Sequence, residues 1–408
     1  MRPASGCKLF GAYQALGGIQ DGVVLLHSVV GCNFGSMSLH VAQDMRDIRQ
    51  TCTVISDSDV VFSGEASLER AVRSALELFQ PSILFVVSGC VSEMIGDDIP
   101  AVLARIPHEA PLLHVEAAGF RGDAARGLEA GWLALLPLMK PPVPRPYPRP
   151  YPRPYPRSDP RPLVNLIGLG MDDPHAADDV EALRAMLAPQ AALGAVLSRC
   201  TLEEVRRAPY ADVNLVLRGK GRELAQAMKE YFGIPWEELD YPYGAAGADD
   251  LWSRLERRFG LDYHQARAEL DRQIAEGAGK AYRYLQALYG MPAAILASGP
   301  RADGLRRFLE QELGMEVVCF ARREELSDQE DFYRELRGSE AALLFGSSFE
   351  QDGADELEIP LIRMDYPVFD EVCLTPRPHL GGQGTLHLLE DIFRGIMNGR
   401  TLKGALYQ

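Results

Sequence analysis

The sequence predicts an α/β protein of three Rossmann-like domains, each built on a parallel sheet. Three observations carry this expectation. At 408 residues the chain exceeds what one hydrophobic core serves. Short apolar runs alternate with stretches of helical periodicity, the pattern of strand–helix–strand units with right-handed crossovers. A proline-rich segment at 141–162 then punctuates that alternation.

The first domain is expected over 1–140. Val23-Val24-Leu25-Leu26 is a continuous apolar run, which predicts a buried parallel strand ending near Val30. Residues 37–49 predict a polar helix and 51–55 a short strand. The segment 67–79, SLERAVRSALELF, has apolar residues at helical spacing, and Pro81 stops it. Residues 83–87 read as the next strand and 95–106 as the next helix. Within this domain Cys7, Cys32 and Cys90 stand in Gly/Ser-rich surroundings: Ser5-Gly6-Cys7, Gly31-Cys32 and Ser88-Gly89-Cys90. The last two follow apolar runs, so their thiols are expected where a strand gives way to a loop. Thiols delivered together at strand ends can share one inorganic cluster.

Between domains lies a tandem repeat, RPYPRPYPRPYPR, at 145–157. Proline at every second position removes the amide donors that a helix or sheet needs, leaving polyproline II. At ~3.1 Å per residue it reaches roughly 40 Å. It reads as a semi-rigid spacer, with docking to an aromatic-lined groove or an acidic surface as the sharper alternative. The second domain is expected over 163–290, opening on Leu-Val-Asn-Leu-Ile-Gly-Leu-Gly. A helix follows at 179–187, then strands at 192–197 and 214–217, a helix at 221–232 ended by Gly233 and Pro235, and long helices over 251–289. The third domain, 291–408, opens on the strand before Gly299. Helix 303–313, strand 316–320, helix 329–337, strands 341–345 and 359–364 and a last helix at 385–397 complete it. Neither glycine turn completes a G-x-G-x-x-G fingerprint, so nucleotide binding is not expected.

A net charge of −15 argues against nucleic acid or an anionic membrane as the main partner. No apolar stretch approaches the roughly eighteen residues that span a bilayer, and Met1–Cys7 has no signal core. A cytoplasmic location is the expectation. Seven cysteines in so long a chain do not suggest a disulfide framework, and Cys52, Cys319 and Cys373 read as small buried hydrophobes.

Four motifs of the first domain resemble the nitrogenase component 1 superfamily: G-C-K-L-F-G-A at 6–12, H-S-V-V-G-C at 27–32, S-D-S-D-V-V-F-S-G at 56–64 and C-V-S-E-M-I-G-D-D at 90–98. G-S-S at 346–348 and E-I-P-L-I-R-M-D-Y-P-V-F-D at 358–370 are similar to its third domain. The proline-rich segment is not part of the resemblance. Spacings of 25 residues from Cys7 to Cys32 and 58 from Cys32 to Cys90 look like the β-type subunit.

The resemblance implies that Cys7, Cys32 and Cys90 supply this chain's half of the ligands to an [8Fe-7S] P-cluster, or to a [4Fe-4S] cluster, at an interface with an α-like partner. It implies an α2β2 heterotetramer and transient docking of an ATP-dependent iron-protein reductase, with Phe62 on the docking face and Glu65 and Glu69 at its rim. Phe62 reads equally as core. Asp123 is implied as a conditional oxygen ligand, with an N-cap as the plainer reading. Arg218 stands where an α subunit has its cofactor cysteine, so a second iron–sulfur cofactor is expected on the partner chain. His379 reads as a surface or loop histidine near the α-type cofactor histidine, and Cys200 as a buried thiol at a helix start. The brevity of the chain and the missing N-terminal extension fit a nitrogenase-like enzyme such as methylthio-alkane reductase. A dinitrogen-reducing β subunit, a cofactor-maturation scaffold and a tetrapyrrole-type reductase subunit are the alternatives.

Overall fold

The computed structural model describes residues 6–40, 49–140, 159–326 and 328–402. The Arg-Pro-Tyr-Pro repeat and most of the helix expected at 37–49 lie outside them. The described residues form three four-stranded sheets, every strand pair parallel. The first holds β1 (Gly22–His27), β2 (Gln50–Cys52), β3 (Ile83–Ser88) and β4 (Leu112–Glu116), in the order β2-β1-β3-β4. The second orders β5 (Leu163–Ile167), β6 (Ala192–Val196), β7 (Val213–Leu217) and β8 (Trp236–Leu239) as β6-β5-β7-β8. The third orders β9 (Pro292–Ala297), β10 (Glu316–Arg322), β11 (Leu343–Gly346) and β12 (Leu361–Arg363) as β10-β9-β11-β12.

One winding is thus used three times. The chain steps outward from the first strand of each sheet, returns over it, and continues on the other side. Connections from the first and third strands therefore leave in opposite directions and open a crevice at their carboxyl ends. β1 and β3 are buried at every position, as continuous apolar runs in a covered sheet should be.

The helices that matter for the crevice are α1 (Lys8–Leu16), α2 (Val30–His40), α3 (Asp57–Phe62), α4 (Glu65–Phe79), α5 (Cys90–Ile95), α6 (Ile99–Arg105) and α7 (Ala124–Ala134). Several depart from the sequence expectation. The first crossover helix begins at Val30, well before residue 37. The single helix expected over 95–106 is two, because Gly96 closes α5 at φ 78° and Asp98 caps α6 through a bond from the Ala101 amide. α1, α7, β4 and β8 were not expected. Both strands are short, partly exposed edges carrying Glu116, Glu237 and Glu238, so neither shows an apolar run. The long helices expected over 251–289 are found, but the first begins earlier, at Gly244, and ends at Gly260 before the second starts at His264. The one expected at 303–313 is instead Gly299–Arg307 followed by a wider turn through Glu312.

α1 and α7 cross at unusually close range. A β-carbon on Gly11 would fall 1.8 Å from the Ala124 carbonyl oxygen, and one on Gly127 would fall 1.9 Å from that of Lys8. Only glycine permits such an approach, which brings the starts of both helices together. Their apolar faces join Ile167, Val216 and Met228 in a core that ties the first sheet to the second. A separate core, including Trp252, Phe308 and Phe345, ties the second to the third.

Candidate functional site

β1 and β3 are neighbours, with Leu26 beside Val87 and His27 beside Ser88. The crevice at their carboxyl ends receives the cysteines. Cys90 is the first residue of α5, with only Gly89 between it and β3. Cys32 lies in the first turn of α2, two residues after that helix begins. Cys7 is the N-cap of α1, in extended conformation. The loop positions expected for Cys32 and Cys90 are therefore corrected, because these connections are so short that a helix starts almost at once.

Gly119 marks where two of the thiols meet. A β-carbon there would lie 3.4 Å from Cys90 Sγ and 3.9 Å from Cys7 Sγ. The Gly119 amide donates to Cys90 Sγ at 3.1 Å. Burial raises the Cys7 thiol above its ordinary value, and the charges of Cys32 and Cys90 add to the shift. All three cysteines are free and half-buried.

The loop bearing Gly119 is clamped by residues that sequence reading missed. Glu93 Oε1 accepts from Ser88 Oγ and from the Ala117 and Ala118 amides, each at 2.9 Å, and Glu93 Oε2 pairs with Arg121 Nε at 2.7 Å. The motif C-V-S-E was the available signal. Cys52 also turns out to be half-buried near Cys32, whose charge adds to the effect of burial in raising its thiol.

The donor set can be tested against an iron–sulfur cluster. The sulfurs of Cys7 and Cys90 meet beside Gly119, Cys32 lies near enough for its charge to act on Cys7, and a backbone amide is aimed at Cys90; thiolate sulfur is the donor that iron–sulfur clusters take. Among the described residues no three His, Cys, Asp or Glu side chains close around a single ion. Beside the donor set Val30 (59%), Phe34 (72%) and Phe120 (59%) are exposed, a rim of apolar side chains next to half-buried thiols.

The other expected residues fall as follows. Asp123 caps α7 through a 3.0 Å bond from the Arg126 amide, and its backbone bridges that of Cys7. Phe62 ends α3 and is 84% exposed, which rules out its reading as core. Glu65 and Glu69 pair with Arg105 and Arg73. Arg218 pairs with Asp240, away from the thiols. Cys200 is buried just before the helix Leu202–Arg207, with its thiol pushed well up by burial. His379 is not at the surface: it is 1% exposed, its ring centroid 3.9 Å from that of His175, because the chain before the last helix is pulled inward by Asp179 accepting from the His379 and Leu380 amides. Cys319 is buried as expected, whereas Cys373 is exposed. No described helix is long and apolar enough to cross a membrane.

Comparison with known proteins gives the family. Residues 7–397 match the family model described as nitrogenase component 1 type oxidoreductase. The chain is 30% identical over 327 residues to the nitrogenase iron-molybdenum cofactor biosynthesis protein NifE of Methanosarcina barkeri, covering 76% of this chain and 68% of that one. It is 24% identical over 461 residues to the nitrogenase molybdenum-iron protein beta chain of Methanococcus maripaludis, covering 98% and 94%. A solved structure titled "Nitrogenase Cp1 at pH 6.5" superposes with a TM-score of 0.79 at 18% identity, covering 98% of this chain and 93% of that one. With a family match across nearly all its length, the chain belongs to the nitrogenase component 1 type oxidoreductases.

Proposed function

We propose that this chain is a β-type subunit of a nitrogenase-like reductase. The observation that carries the reading is the meeting of half-buried Cys7 and Cys90 beside Gly119, with Cys32 near enough for its charge to act on Cys7 and exposed apolar side chains on the adjoining segments. These thiols would hold half of an [8Fe-7S] cluster, with an α-like partner supplying the remainder. Bound there, such a cluster supplies one-electron storage and transfer. The chain's own contribution is to bring three thiols together, donate the Gly119 amide to Cys90 sulfur, and exclude water on the sheet side. Asp123, beside Cys7, is a conditional oxygen ligand in this reading. Phe62 would meet the ATP-dependent iron-protein reductase. With Arg218 engaged by Asp240, the second cofactor belongs on the partner chain, and we propose methylthio-alkanes as the substrate class.

The test is anaerobic copurification with the partner chain. Iron and acid-labile sulfide should accompany the complex, and an iron-free complex rejects the reading. Release of methanethiol from a methylthio-alkane, dependent on ATP and the reductase, would support the substrate; dinitrogen reduction alone would reject it.

A second reading is a scaffold for cofactor maturation, favoured by the similarity to NifE proteins. It predicts a complex that binds a metal cofactor and passes it on without catalytic turnover.

A further inference from the structure

One hydrogen-bonded line runs inward from the turn after Phe62, and neither core packing nor the thiol rim accounts for it. Ser63 sits at φ 119°, which L side chains rarely adopt. Gly64 comes so close to Asp97 that a β-carbon would fall 2.5 Å from Oδ2. Asp97 Oδ1 accepts from Ser63 Oγ at 3.0 Å and from the Gly64 amide at 2.9 Å. Its other oxygen meets His27 Nε2 at 2.9 Å, and both side chains are sealed from solvent. His27 Nδ1 lies 3.1 Å from Thr53 Oγ1.

The line then passes to the cysteine helix. The His27 carbonyl accepts from the Gly89 amide at 3.1 Å and from Ser92 Oγ at 2.7 Å. Gly89 caps α5, and a β-carbon on it would lie 2.3 Å from Ser28 Oγ, so strand end and helix start are locked together. Five residues, Ser63, Gly64, Asp97, His27 and Gly89, therefore connect a strained surface turn to the backbone of Cys90. A buried His–carboxylate pair contributes little net stability for its desolvation cost, and apolar side chains would fill the same space. Its bonding at both ends suits a link better than a filler.

We propose that Asp97 and His27 are positioning residues which transmit contact at Phe62–Gly64 to the start of α5. The inference rests on the reading of Phe62 as part of the reductase-docking face. Contact at the turn shifts Ser63 and Gly64, the Asp97 carboxylate follows, and His27 carries the shift to Gly89 and Ser92.

The experiment uses the complex with its α-like partner and an iron-protein reductase held in one state by a nonhydrolysable nucleotide. Amide hydrogen exchange is followed over residues 86–94, with binding measured in parallel. In the natural sequence, docking should slow exchange at 89–93 by about fivefold. His27→Gln and Asp97→Asn break the buried pair with side chains of similar size, and both positions are sealed from the docking surface. Both variants should bind the reductase, keep the spectrum of the resting cluster, and lose the slowing. Slowing that persists in either bound variant overturns the proposal, as does loss of binding in both, which would make Asp97 a docking residue. Docking without any exchange change in the natural sequence rejects the link alone. No docking at all rejects the underlying reading of Phe62 and the link with it.

Discussion

Cys32 shows how a single residue is placed by its neighbours. It follows a fully buried strand by five residues, and α2 begins before the thiol is reached, so its sulfur faces the crevice from a helix start. Cys32→Ala removes a half-buried donor without opening the core. Its complex should lose most of its iron while far-ultraviolet circular dichroism stays unchanged; full iron retention would show that Cys32 is not a ligand. His27 makes a second prediction at this scale. Burial lowers it below its ordinary value of 6.5, overcoming the opposing effect of Asp97. Below pH 6.5 the unfolded chain then binds a proton that the folded chain does not, so stability is full above that pH and falls on acidification, by at most about 1.4 kcal/mol per pH unit for one histidine. Urea midpoints at pH 7.5 and 5.5 should fall with acid, and His27→Gln should flatten the difference.

At the scale of elements, the crossing of α1 and α7 decides where Cys7 and Asp123 meet. Gly11→Ala puts a methyl group against the Ala124 backbone, which has no flexible end to move aside, and should cost about 3 kcal/mol, the upper part of the overpacking range. Gly31→Ala, in α2 with open space around it, should be neutral or gain up to about 1 kcal/mol from helix propensity. Urea denaturation of the two variants would separate close approach from general glycine effects. The strand elements β1, β3 and β7 were legible because burial on both faces writes a continuous apolar run. β4 and β8 were not, because an edge strand beside water carries charges and looks like a loop. α1 and α7 stayed hidden because their contact faces are made of glycine and alanine, which leave no amphipathic signature.

At the scale of the whole molecule, one sheet winding is used three times and joined by shared cores. Just after β10, Arg323 pairs with Glu350 at 2.8 Å and Asp365 at 3.0 Å, both carboxylates nearly sealed from water. Arg323→Met strands two buried carboxylates and should cost about 3–5 kcal/mol by urea denaturation. Burial by itself would raise Asp365, yet Arg323, Lys220 and Arg301 together hold it below its ordinary value. Its stabilising contribution is therefore present at neutral pH and lost only as pH falls below about 3.8, toward the folded value.

The division of labour between sequence and fold is physical. The amino-acid sequence by itself determined the α/β class, the buried central strands and the candidacy of Cys7, Cys32 and Cys90, because apolar runs and motif spacing are local and linear. Tertiary structure alone decided that these thiols sit at helix starts, that Cys7 and Cys90 meet beside Gly119, and that Phe62 is exposed. It alone joined Asp97 to both Ser63 and His27, and it buried His379. Each of those facts depends on atoms far apart in the chain and close in space, brought together by the reversal of winding at β1 and β3 and by the glycines that let α1 and α7 touch.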